Sequence, residues 1–326
     1  MKLHESLYRT IAFFDLFEHP LTDKEIQRFL YGYQKPVHIK EIQGTLESLP
    51  GIIRIKDYFM LEGREHLVSV RSQRRFISEK YWQRVRFYGR MMMKIPFIRM
   101  IGVCNNLAYD NASHESDIDL FVVVEPGRLW TARLLLTGLL HFFGVRRHGS
   151  KVAGRFCLSF FADTNALDLS SLQIAPHDPY LAYWTVLLSP FFGQKTYRSF
   201  QKSNESWLKP YGLRFSEFSE RHFFPSDRSR LRDFLERLLG GRFGISVEKS
   251  IRKRLLPRAL KKAQRAPQNA HLIIQDDMLK FHNHDRRKEY LNRWEAQTAK
   301  LMRLWREHVT QEALPSASSD ACAGAA

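Results

Sequence analysis

Apolar residues recur at helical spacing from the start of the chain. Leu7, Ile11, Phe14 and Leu16 share one face of residues 5–20, and Pro20 closes the segment. Thr22 opens a second helix, because Thr22 and Glu25 form the S/T-x-x-E box that satisfies free backbone donors at a helix start. A third short helix is predicted over VHIKEIQGTLESL, ending near Pro50–Gly51. The β-branched stretch IIRIKDYFMLEG then alternates about a turn at Lys56–Asp57, as a hairpin does. Three helices and a hairpin, residues 1–63, follow the order of a winged helix-turn-helix; a plain helical packing domain has the same pattern.

Residues 64–96 read as a connector helix ending at Pro96. Phe76, Tyr81, Trp82 and Phe87 alternate there with Arg74, Arg75, Lys80, Arg84 and Arg86. That mixture suits nucleic-acid contact by phosphate pairing and base stacking. It equally suits a helix with one buried aromatic stripe and one solvated basic face.

The pattern then changes. IRMIGVC (98–104) predicts a strand, NNLAYDNASHE a loop, and DIDLFVVV (117–124) the strongest strand in the chain. After Pro126–Gly127 comes an apolar helix, RLWTARLLLTGLLHFFG, and then a third strand, RFCLSFFA (155–162). Residues 97–175 therefore predict an α+β unit with a small mixed sheet and a helix on one face. From the Asp178–Pro179 cap onward, residues 176–308 predict a helical C-terminal region. Residues 309–326, small and polar, predict a disordered tail.

Charge changes the picture. The 326 residues carry 51 Lys+Arg against 34 Asp+Glu, a net charge of +17. Such an excess favours polyanionic partners: nucleic acid, nucleotides or an anionic membrane surface. Segment 249–265 holds eight Lys/Arg and no acid, either as a solvated face or as an RNA or DNA contact surface. The apolar runs are broken by Arg133 or Pro190 and fall short of the ~20 residues a bilayer span needs, so no transmembrane segment is expected. Three widely spaced cysteines, Cys104, Cys157 and Cys322, form neither a disulfide framework nor a CxxC metal site. A reducing, cytoplasmic setting fits.

Against this basic background stand two acids. Asp117 and Asp119 are one residue apart at the start of a strand, so both carboxylates are expected on one face, with Ile118, Leu120 and Val122 on the other. Two adjacent carboxylates repel when ionised, and a divalent cation relieves that repulsion. Mg²⁺ typically uses one or two carboxylates together with substrate phosphate oxygens.

The stretch GVCNNLAYDNASHESDIDLFVV resembles the signature of the DNA polymerase beta-like nucleotidyltransferase superfamily: a strand, a Gly-Ser turn opening a helix, about ten residues, then Asp-x-Asp on the next strand. Asn105–Asn106 stand where the family has Gly-Ser. RFCLSFF and DDMLKFHNHDRRKEYLNRWE further resemble segments of an uncharacterised bacterial group with a winged-helix-like N-terminus and a basic helical C-terminus. The resemblance implies transfer of a nucleoside monophosphate from a nucleoside triphosphate such as ATP to a nucleic-acid or protein acceptor. It implies Asp117 and Asp119 as ligands of Mg²⁺ or Mn²⁺, and Asn105, Asn106 and Ser116 as the turn that holds the triphosphate. A third carboxylate is expected on a later strand. RFCLSFFA has none, and Asp163 just beyond it is the candidate. A catalytically degenerate binding or regulatory module on the same fold is the alternative.

Three further groups of residues carry chemistry of their own. Arg146, Arg147 and Lys151 fit either phosphate neutralisation or a basic loop. His114 reads as a solvated loop histidine. His282 and His284 beside Asp276 and Asp277 match no common zinc spacing.

Overall fold

The computed structural model describes residues 1–215, 222–224, 229–267, 270–282 and 284–312. The chain forms two units, one of residues 1–65 together with the C-terminal residues from 292, the other of residues 66–291.

In the first unit, α1 (Leu3–Asp15), α2 (Asp23–Arg28) and α3 (Ile39–Glu47) precede an antiparallel hairpin of β1 (Ile52–Ile55) and β2 (Tyr58–Leu61). The predicted capping box at the start of α2 is present, with the Thr22 hydroxyl accepting from Glu25 N and the Glu25 carboxylate accepting from Thr22 N. Lys56 takes a positive φ at the hairpin turn. A bridge between Leu21 and Phe59 adds a third short strand pairing. The core gathers Leu7, Ile11, Phe14, Ile26, Ile42 and Phe59.

The C-terminal half departs from expectation here. Helix α10 (Arg287–Glu312) runs past residue 308, and its segment from Asn292 belongs to the N-terminal unit. Trp294 is fully buried there: its indole N–H donates to Arg9 O (2.7 Å) and its ring meets Tyr31 edge-on at 4.9 Å. The tail predicted over 309–326 is therefore helical through Glu312; residues 313–326 lie outside the described residues.

The second unit is built on a six-stranded mixed sheet in the order β6-β3-β4-β5-β8-β7. Its strands are β3 (Ile98–Val103), β4 (Ile118–Val124), β5 (Phe156–Asp163), β6 (Ser189–Phe192), β7 (His271–Ile274) and β8 (Met278–His282). Only β4 and β5 run parallel, joined through α5 (Leu129–Phe142) as a parallel pair requires. Each sheet face has its own core. Ile118, Leu120, Val122 and Val124 pack with α5 and with Trp82 and Val85 of α4 (Leu67–Met92). Phe121 and Val123 pack with Trp184 of α6 (Pro179–Leu187) and Phe200 of α7 (Gln194–Leu208). α4 is thus packed into the unit through Ile77, Trp82, Val85 and Met92, while Phe76 and Phe87, expected in a buried aromatic stripe, are exposed. Two further helices follow, α8 (Arg230–Leu238) and α9 (Gly241–Gln264).

The fold is α+β with a small mixed sheet, as expected. The reading of 176–308 as a helical region is corrected in part, since β6, β7 and β8 complete the sheet from within it. Their apolar runs are only four or five residues long and are flanked by strong helical periodicity. Their strand state comes from edges offered by β3 and β5, not from local preference. Among the described residues, no helix is long and apolar enough to cross a membrane.

Candidate active site

β4 is apolar on both faces because both are covered, and its acids sit at its start, where coverage ends. Asp119, in phase with Phe121, emerges on the α6 side of the sheet. Asp117 precedes the strand. Both carboxylates are half-buried and do not splay: one ligand atom each from Asp117, Asp119 and Cys157 lie within 4.8 Å of one another. Cys157 comes from β5, where it is the Cα partner of Asp119.

Asp163 is in a different place. It pairs with Val124 at the other end of β4, five residues from Asp119, or about 17 Å along the strand. Its carboxylate accepts from Asn165 N (2.7 Å) and it is buried. The expectation that Asp163 bends back to the pair is corrected: the register shifts between Asp119 and Phe121, but the two strands run on side by side and Asp163 stays at the far end. In the position opposite Asp119 stands a thiol.

The turn before the strand also differs in detail. Asn105 adopts φ +58°, the left-handed conformation that Asn tolerates and that a Gly would supply in its place. Its amide does not wait for a phosphate: Nδ2 donates to Asp119 Oδ2 at 2.7 Å, and Oδ1 accepts from the Tyr180 hydroxyl at 3.4 Å. Asn105 therefore orients the metal-ligand candidate. The following element is a single 3₁₀ stretch, Asn105–Tyr109, too short to offer the dipole of a full helix. Asn106 is exposed and accepts from the Tyr109 hydroxyl. The Ser116 hydroxyl accepts from Ser113 N and its backbone N–H donates back to Ser113 O, so Ser116 closes the loop.

Asp119 opens into a cleft of about 590 Å³ whose walls also include Asn105, Cys157 and Tyr180, and the cations Arg133, Arg146, Arg147 and Lys262, with His148 and His284. This size lies in the range of small-molecule sites. Arg147 donates to Asp117 Oδ2 at 2.6 Å. Lys151 instead turns back on His148 through backbone hydrogen bonds, and the His114 carbonyl accepts from Tyr81 outside the cleft wall. Of the histidine-acid group, His284 reaches the cleft, Asp276 pairs with Arg252, and the side chain of His282 lies outside what is described.

Burial, and then the charge of Asp117, push the Asp119 carboxyl up to about 6, against the opposing pull of Asn105, Cys157 and Arg147. Burial, reinforced by both aspartates, pushes the Cys157 thiol well up. Burial and neighbouring Arg146 bring the Arg133 guanidinium down to about 10. Desolvation would lower Arg147 too, but Asp117 and Cys157 overcome it and raise it.

The donor set fits a divalent cation. Two carboxylates on one side suit a hard ion that completes its shell with phosphate oxygens, and the thiol adds affinity for a softer one. Cys157, Arg133 and Lys262 carry no site reading in the sequence, and His284 is considered there only with His282, Asp276 and Asp277 as a metal group. Cys157 alone had a local signal, its in-phase place on a strand next to the acids. In the first unit, α3 carries Lys40 against Glu41 and Glu47, so the helix that would enter a DNA groove offers no basic face.

Compared with protein-family models, with curated proteins and with solved structures, the chain matches none.

Proposed function

We propose that the cleft at the start of β4 is a divalent-metal nucleotidyltransferase site, with Asp117 and Asp119 holding the ion and a nucleoside triphosphate bound across them. The observation that carries this reading is the acid pair, Asp119 in the wall of an otherwise cationic cleft and Asp117 beside it on the cleft's Arg147. Acids alone would repel a triphosphate, and cations alone would bind any anion; the combination selects a metal-chelated polyphosphate. The ion would neutralise developing charge on the phosphates. Arg146, Arg147 and Lys262 would hold the phosphate oxygens, with Arg147 freed for that role once a cation takes over the charge of Asp117. Asn105 and Tyr180 keep Asp119 aimed into the cleft. The thiol of Cys157 favours Mn²⁺ over Mg²⁺ at this site.

A second reading is supported by the same register. Among the described residues no third carboxylate joins the pair, and base catalysis toward an acceptor hydroxyl is worth about 10²–10⁴-fold. A module that binds nucleotide and regulates, without turnover, has no need of that acid. Transfer of label from α-³²P nucleotides with Mg²⁺ or Mn²⁺ separates the two. Label transferred by the wild type and lost in Asp117→Ala plus Asp119→Ala supports the enzyme. Metal-dependent nucleotide binding without transfer supports the regulatory module.

A further inference from the structure

The cleft at the acid pair does not end there. A second groove of about 410 Å³ shares Lys262 and His284 with it, so the two adjoin at these side chains. The wall of the second groove is the C-terminal half of α9. Residues Ile251, Leu255, Leu256 and Ala259 of that helix pack on the core. Arg258, Lys261, Lys262 and Arg265 are exposed and three or four residues apart, one helical face with a cation on each turn of ~5.4 Å. Among the described residues, Arg258, Lys261 and Arg265 have no carboxylate partner, whereas Arg252 farther up the helix pairs with Asp276.

We infer that the cleft and the groove form one path for a single strand of nucleic acid, its phosphates along α9 and its terminus at Asp117 and Asp119. The inference rests on the proposed function and names its acceptor. A regularly spaced row of cations matches a polymer with one negative charge per repeat. The row lines a concave groove, which a flat lipid surface does not enter. Ile251, Leu255, Leu256 and Ala259 of α9 are spent on the core, and the exposed Leu260 among the four cations is too little apolar surface to anchor this half of the helix in a bilayer.

The test is fluorescence anisotropy with a labelled single-stranded RNA of mixed sequence, at several salt concentrations. Arg258→Gln, Lys261→Gln and Arg265→Gln together are expected to weaken binding roughly tenfold or more and to lower the slope of log K against log salt by about 2, near 0.7 per lost phosphate contact. Arg90→Gln, Lys94→Gln and Lys202→Gln remove the same charge from exposed positions elsewhere in the unit and are expected to change binding little. Equal losses in the two triple variants, or wild-type binding in the first, overturn the inference. So does a protein that binds phosphatidylserine vesicles through these residues and not RNA. RNA binding lost in the α9 variant, from a wild type that transfers no nucleotide, would keep the path and remove the catalytic reading. Nucleotide transfer by a protein that does not bind RNA would do the reverse.

Discussion

Cys157 stands directly across from Asp119 on the neighbouring parallel strand, in the place where a third carboxylate would complete the acid pair. The metal preference follows from that relationship. By isothermal titration, Mn²⁺ is expected to bind more tightly than Mg²⁺, and Cys157→Ser to narrow the gap. Cys157→Asp is expected to raise Mg²⁺ affinity and to lower stability without metal, since a third like charge joins two others. Unchanged selectivity in Cys157→Ser removes the thiol from the site.

Asp119 gives a pH dependence of opposite sign to the usual carboxylate. Its folded pKa is raised from 3.8 to about 6, so the folded state holds the proton more tightly than the unfolded chain does. Relative to the stability below about 4, up to about 3 kcal/mol is lost as pH rises through about 6, and the loss stays constant above that. In EDTA, Asp119→Asn is therefore expected to stabilise the protein at pH 8 and to leave it nearly unchanged at pH 4. Urea unfolding at the two pH values measures this. Equal effects at both would show that the folded-state pKa is not raised above that of the unfolded chain.

Glu248 of α9 caps a helix from far away in sequence. Its carboxylate oxygens accept from Trp130 N and Thr131 N, both at 2.8 Å, at the start of α5. Glu248→Ala leaves those buried donors unsatisfied and is expected to cost about 1–3 kcal/mol. Glu248→Gln, which keeps an acceptor, is expected to cost less. Denaturant midpoints of the three proteins decide it.

Trp294 ties the C-terminal helix into the first unit. Trp294→Ala is expected to destabilise that unit by about 3–5 kcal/mol, as large-to-small changes at fully buried aromatics do. Amide exchange in residues 1–65 should rise. The exposed Phe76→Ala is the control, with an effect within about 0.5 kcal/mol. Protection unchanged in Trp294→Ala would mean that residues 1–65 hold together without it.

The elements with strong periodicity or a complete local device were legible in the sequence. The Thr22–Glu25 box, the Lys56–Asp57 turn, the apolar run of β4 and the Asp178 cap of α6 are satisfied by residues within a few positions of one another, so spacing reveals them. The shared side of Asp117 and Asp119 was legible for the same reason, as strand alternation is local. The rest depended on which strand lies beside which. Pairing of β5 with β4 brought Cys157 to the acids and sent Asp163 to the far end, and pairing of β8 with β5 made strands of segments embedded in helical sequence. The partnership of Asn105 with Asp119, of Arg147 with Asp117 and of Glu248 with α5 joins residues 14, 30 and more than 100 positions apart. Periodicity reports which face of an element is buried, but only packing decides what that face meets, because hydrophobic burial is not directional and many partners would satisfy it equally.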